Sequence, residues 1–207
     1  MIIAIAKTGQ NQTMHRSGRS ATLDFRNFFG GHSVMGSFVQ MEKPMYQCTH
    51  CSSTHDGIQA FHADRPTPYW DVPEEKREAD VYLTSDACVI ADRFFFIRGL
   101  LEIPINGCDD HFTWGVWVSL SETNFFIWQD HYETPKRDHL GPFFGWLCTR
   151  LPIYPETLYL KTMVYLRNDG IRPRIVLEPT EHQLSIEQNS GITIDRALEL
   201  VHLASST

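Results

Sequence analysis

The chain has no long apolar run. Its most hydrophobic stretches, such as FFFI at 94–97, fall far short of the roughly 20 residues that span a bilayer. That excludes a membrane-spanning helix, and no membrane partner is expected. Basic residues are in the minority, 18 against 25 acids for a net charge of −7. Such a chain repels phosphate backbones, so nucleic acid is not an expected partner either. Cysteine is scarce and odd in number, with five among 207 residues. The opening MIIAIA has no basic flank and no small-residue cleavage site, so it is not read as a secretory signal. Without export a disulfide framework is not expected, and a reduced, cytoplasmic setting is. Also missing are the G-x-x-x-x-G-K phosphate loop, the G-x-G-x-x-G fingerprint, the H-E-x-x-H helix and the G-x-S-x-G elbow. None of the enzyme classes those motifs mark is indicated.

What is present is globular in character: 42% of the chain is hydrophobic and 12% of the chain is aromatic. Charge is uneven. Residues 1–45 hold Lys7, Arg16, Arg19, Arg26 and Lys43 against Asp24 and Glu42, and are rich in Gly, Ser and Arg. Met14, Met35, Met41 and Met45 are alternative starts. A transit peptide has this composition, but patterned sequence begins only at Tyr46. Residues 1–45 are therefore expected to be a disordered tail or an over-extended start, and residues 46–207 a single domain.

Within that domain, Asp71 and Glu74 form a capping-box variant for a short charged helix ending near Asp80. CVIAD, RFFFIRGLLEIPI and FTWGVWVSLS then read as three consecutive antiparallel strands, turning at Ala91 and Asp92 and at NGCDDH. A helix follows, capped by Ser119 or Ser121, with Phe125, Trp128 and Tyr132 on one face and Pro135 as its stop. FFGWLCT reads as a strand, and NDG joins LYLKTMVYL to RPRIVLEP as a hairpin. Thr180 and Gln183 form a capping box for a helix ended by Gly191, and Thr193 caps a last helix with Ile194, Leu198 and Val201 facing inward. Strands arriving as hairpins indicate α+β architecture: a mainly antiparallel sheet with helices packed on one face.

The densest chemistry is YQCTHCSSTHDGIQAFH at 46–62. Cys48-x-x-Cys51 lets two thiolates grip one Zn2+ from a tight turn, with His55 in reach as a third ligand. A short Cys/His knuckle at the start of the domain is expected, structural because nothing marks an open coordination position. His50, His62, Cys88, Cys108 and Cys148 are the choices for the fourth ligand. A thiol redox switch at Cys48 and Cys51 is the alternative; it wants the pair opening a helix, whereas SSTHDG reads as a turn.

Arg98 and Glu102 lie four apart on a strand and so share one side of the sheet. They form either a solvent-facing ion pair or the polar handle of a cleft in which Arg98 holds an anionic group. Trp114 and Trp117 point to opposite faces, one into the core and the other beneath a helix or onto a binding surface, with core packing the default for both. Gly115 between them marks a bulge or a close backbone approach. Arg98, Glu102 and Trp117 are the candidate binding residues. Asp109 and Asp110, and Glu74 and Glu75, read as solvated acids, and His131, His139 and His182 as ordinary surface.

C-x-x-C-x3-H, YWDVPEE, SDACVI, RFFFIRGLLEIP, WGVWVSLS, GWL, LPIYPETL, RPRIVLEP and H-x-L-x-x-E-Q-x-x-x-G-I together resemble a bacterial domain-of-unknown-function family, number 2199. The resemblance spans about residues 46–203. It implies a bacterial, cytosolic, one-domain protein, with Cys48, Cys51 and His55 at the family's cysteine–histidine start. Cys88 stands at the cysteine of its S-D-x-C stretch, which puts it first as fourth ligand. Ser52 replaces the glycine that often follows the second cysteine. The resemblance carries no activity. The expectation is a non-enzymatic binding or interaction protein with a structural zinc site, taking a protein or small-molecule partner. The alternatives are an enzyme with a polar cleft at Arg98 and Glu102, or the redox switch.

Overall fold

The computed structural model describes residues 45–47, 54–56, 58 and 60–205. The expected tail at 1–45 lies outside them except for Met45. In chain order the strands are β1 (Met45–Gln47), β2 (Thr54–Asp56), β3 (Phe61–His62), β4 (Val81–Leu83), β5 (Ala87–Ile90), β6 (Phe94–Pro104), β7 (His111–Leu120), β8 (Phe143–Trp146), β9 (Lys161–Tyr165) and β10 (Arg174–Leu177). The helices are α1 (Glu74–Asp80), α2 (Glu122–Asp130), α3 (Gln183–Ser190) and α4 (Ile194–Ser205). The architecture is α+β, as the hairpin pattern indicated.

β1 and β2 pair with each other, and β3 to β10 form an eight-stranded sheet. The expected β5–β6–β7 meander is present, with Arg98 opposite Trp117 and Leu101 opposite Trp114. Its first turn, the three residues between Ile90 and Phe94, holds Ala91 and Asp92 at φ 51° and 49°, a left-handed pair whose twist matches that of the flanking strands, and the Arg93 N–H donates to the Ile90 carbonyl at 3.1 Å. The NDG hairpin is also present, joining β9 to β10 with Asp169 and Gly170 at φ 57° and 70°. Two parallel pairings, β3 with β7 and β10 with β6, make the sheet mixed. Beyond β8 the chain returns to β7: Leu147 bridges Val118, and the Cys148 N–H donates to the Trp117 carbonyl at 2.7 Å. Strands β7, β6, β10, β9 and β8 thus close into a ring. Closure satisfies main-chain groups that an open edge would leave bare.

Side-chain alternation divides the sheet. Phe95, Ile97, Leu101 and Ile103 of β6 face inward with Phe112, Trp114, Val116 and Val118 of β7. Phe125 and Trp128 of α2, Leu184 of α3, and Ala197, Leu200 and Val201 of α4 join that same core. α1 buries none of its residues. Gln188 docks α3 onto the end of β10, accepting from the Leu177 N–H at 2.7 Å and donating to the Ile175 carbonyl at 2.8 Å. On the outer face a smaller cluster of Cys88, Ile90, Phe96, Trp117 and Cys148 lies beneath Ala63, Val72, Val81 and Leu83.

Two of the expected caps are formed: Ser121 Oγ accepts from the Asn124 N–H, and Thr193 Oγ1 from the Arg196 N–H. Two are not. Asp71 instead ends a 3-10 turn over Thr67–Asp71, and Pro73 precedes α1 with no side-chain cap, its fixed φ being already helical. At α3 the cap is His182, whose Nδ1 accepts from the Leu184 N–H. The Thr180 Oγ1 instead accepts from the His182 N–H at 3.3 Å, while the Thr180 N–H donates to Ser185 Oγ.

Candidate functional site

The facing positions of β6 and β7 build a latch on the outer face. The Arg98 guanidinium lies 5.0 Å from the centre of the Trp117 ring. Its Nη2 donates to the carbonyls of Ala63 and Asp64 at 2.8 and 2.9 Å. The Trp117 indole N–H donates to the same Ala63 carbonyl at 2.9 Å. Arg98 is 8% exposed and Trp117 fully buried. Burial lowers the Arg98 pKa from its ordinary value and nearby Arg172 adds to that, while Asp86 and Asp64 oppose it. The two side chains therefore fasten the stretch after β3 to the sheet.

Glu102 lies on the same side of the sheet as Arg98, as strand parity requires, but the ion pair between them is not made. Four residues along a strand are about 13 Å apart. Glu102 pairs instead with Arg167 at 2.6 Å and Arg174 at 3.9 Å. Arg98 and Glu102 each serve a different neighbour and do not converge.

What the latch positions is one wall of a groove. β3 runs parallel to β7, with Phe61 beside Trp114 and His62 beside Gly115. The expected close approach at Gly115 is real: a Cβ there would meet the His62 Cβ at 2.7 Å. Between β3, Trp114, the 149–153 loop and Ala204 of α4 lies a cavity of ≈ 220 Å3. Phe61, Trp114, Leu151 and Ile153 give it an apolar lining, and His62, Thr149 and Arg150 supply polar groups. Thr149 ties the far wall to the latch, because its Oγ1 accepts from the Trp117 N–H at 2.7 Å. Thr157 braces the same wall, donating to the Thr149 carbonyl and accepting from the Leu151 N–H. Arg150 pairs with Glu156 at 3.0 Å and His62 with Asp64 at 3.5 Å, all four side chains being largely exposed.

Behind Trp114, Tyr154 packs edge-on at 6.4 Å and donates its hydroxyl to Glu187 at 2.6 Å. Burial, then the bond to Glu187, raises the Tyr154 pKa well above the ordinary phenol range. The Trp114 indole N–H lies beside this hydroxyl without hydrogen-bond geometry.

Cys48 and Cys51 lie outside the described residues, as does the His55 side chain; the His55 backbone sits on β2 opposite Tyr46. Cys88 is fully buried beside Phe96, and burial pushes its thiol up to about 12. The Cys148 thiol, also buried, is pushed up to about 12, while Cys108 is exposed. Among the described residues no three His, Cys, Asp or Glu side chains gather where they could hold a metal ion. The four-ligand set Cys48, Cys51, His55 and Cys88 therefore has only Cys88 placed.

A second polar cluster went unread in the sequence. Asp86 accepts from Ser85 Oγ and Arg172 Nε, both at 2.6 Å, and from the Tyr132 hydroxyl at 3.2 Å. Burial pushes its pKa up, but these bonds and the Arg172 charge prevail and leave it lowered. Tyr132 and Arg172 are 46 and 86 residues away from it along the chain, so no local spacing could have announced the cluster.

A family model described as an uncharacterized protein conserved in bacteria (DUF2199) matches residues 47–192. The chain belongs to that family. The matched part of this DUF2199 chain includes β3, β7 and the 149–153 loop, so it holds every wall of the groove except Ala204. No curated protein and no solved structure matches the chain. Among the described residues no helix is long and apolar enough to cross a membrane.

Proposed function

We propose that this DUF2199 chain is a non-enzymatic binding protein, acting in the cytoplasm, and that its ligand occupies the groove between β3 and the 149–153 loop. The observation that carries this reading is a half-open apolar cavity whose two walls are both fastened to Trp117. At ≈ 220 Å3 it is smaller than the roughly 300–1,000 Å3 of drug-sized pockets. It suits a compact apolar group, an aromatic ring or short acyl chain, on a small molecule or a protein side chain. Arg150 at the rim can exchange its exposed partner Glu156 for an anionic end on that group. Catalysis is the weaker alternative, because Arg98 and Glu102 direct their bonds to different neighbours. Titration of tryptophan fluorescence with phenylacetate, phenylacetamide and phenethylamine tests the reading. Binding in that order of affinity, abolished in Ala204→Trp, is expected; no saturable change with any of the three overturns it.

The proposal includes a structural Zn2+ held by Cys48, Cys51 and His55, with Cys88 as fourth ligand. It rests on the sequence spacing and on the β1–β2 hairpin, whose connection at 48–53 carries both cysteines. Cys88 would have to lose its proton to ligate, and cation binding would drive the release of that proton to solvent. Zinc measured per chain in folded, reduced protein decides it: one equivalent is expected, and a sub-stoichiometric value overturns it. The redox alternative at Cys48 and Cys51 requires a depressed thiol pKa, so slow alkylation of that pair at neutral pH dismisses it.

A further inference from the structure

The outer face of β8, β9 and β10 carries an aromatic and apolar surface that shares no residue with the groove. Phe144 of β8, Met163 of β9 and Val176 of β10 are direct cross-strand partners and form one apolar row. Phe144 is 45% exposed, and Tyr165, two positions from Met163, is 44% exposed. Trp146 stacks edge-on against Phe144 at 5.1 Å. Aromatic residues, Met and Arg are the types that interface centres favour, and here they stand together on a face open to solvent.

The charges beside the row are arranged antisymmetrically. On β10 and its extension, Arg174 lies two residues to one side of Val176 and Glu178 two residues to the other. On β9, Tyr165 and Lys161 flank Met163 in the same way. Arg174 is 3.9 Å from Glu102, and Lys161 is 3.3 Å from Glu178, and all but Glu102 are about half exposed. A two-fold axis laid along the apolar row superposes each strand on its own reverse. That operation sets Arg174 against Glu178 of the second copy and Lys161 against the Tyr165 ring of the second copy.

We infer that this face is a homodimer interface, formed isologously about the row Phe144, Met163 and Val176. Isologous contacts require a self-complementary patch, which the Arg174–Glu178 reversal provides. The apolar centre is small beside a standard interface of roughly 800 Å2 per partner, so the dimer is a reversible one.

Sedimentation velocity on the full chain over a range of concentrations tests this. Wild type is expected to move from one-chain to two-chain mass as concentration rises. Arg174→Glu and Glu178→Arg each set like charges together across the axis and are expected to weaken dimerisation at least about tenfold. The double variant Arg174→Glu/Glu178→Arg restores the pairing, and Phe144→Glu abolishes dimerisation. Circular dichroism spectra unchanged from wild type confirm that the variants fold. Wild type monomeric at every concentration overturns the inference. So does a dimer indifferent to both single charge reversals, or a double variant no tighter than the singles.

Discussion

Replacing Arg98 by alanine removes the latch at its centre. Two guanidinium bonds to main-chain carbonyls are lost, at 2.8 and 2.9 Å, each worth about 1.5–3 kcal/mol for a charged donor. The stacking on Trp117 adds about 1 kcal/mol. Against this stands relief from holding a charge in a buried position, which costs several kcal/mol. The expected net loss is about 2–4 kcal/mol, well within the roughly 5–15 kcal/mol that keeps a domain folded. Arg98→Ala should therefore fold, with a lower urea midpoint followed by tryptophan fluorescence. The local effect should be larger than the global one. The Ala63 N–H, which donates to the Gly115 carbonyl at 3.0 Å, should exchange with solvent much faster than in wild type. Arg98→Lys keeps the charge but not the planar, multi-donor geometry, and should fall between the two. A midpoint within about 0.5 kcal/mol of wild type, the size of an ordinary surface substitution, together with unchanged Ala63 protection, would refute the latch.

Asp86 should make stability depend on acid pH. Its folded pKa is lowered beneath the unfolded value of about 3.9. Its contribution is therefore complete above that value and is lost as pH falls through the folded pKa. Asp86→Asn should accordingly be less stable than wild type near neutrality, with the two converging below about pH 4; a constant gap in urea midpoint down to acid pH would be the contrary result. Gly145→Ala should destabilise by about 2–3 kcal/mol through overpacking, because its Cβ would collide with the Ser119 carbonyl oxygen where β8 meets β7; calorimetry showing an unchanged melting temperature would contradict the ring closure. Of Cys88, Cys108 and Cys148, only the exposed Cys108 should react readily with iodoacetamide in the native state, the other two being buried with thiols pushed up to about 12. Mass spectrometry of timed samples reads this directly, and early labelling of Cys88 would count against its burial.

Local chemistry was enough for a large part of this molecule. Period-two alternation placed β5, β6 and β7, and it put Trp114 and Trp117 on opposite faces. The NDG turn paired β9 with β10, and Ser121 and Thr193 capped their helices. Each of these depends on residues within a few positions of one another, and backbone propensity and side-chain periodicity act at that range. The parallel pairings β3–β7 and β10–β6, the return of Leu147 to Val118 and the walls of the groove were decided only by tertiary structure. They join segments far apart in the chain, as when Arg98 reaches back 35 residues to the Ala63 carbonyl. Hydrogen-bond donors and acceptors are alike in every strand, so which distant strands pair is settled by packing of whole faces and not by any short motif. The same limit explains Arg98 and Glu102: strand parity fixed the side they share, while the neighbours that claimed each of them came from elsewhere in the fold.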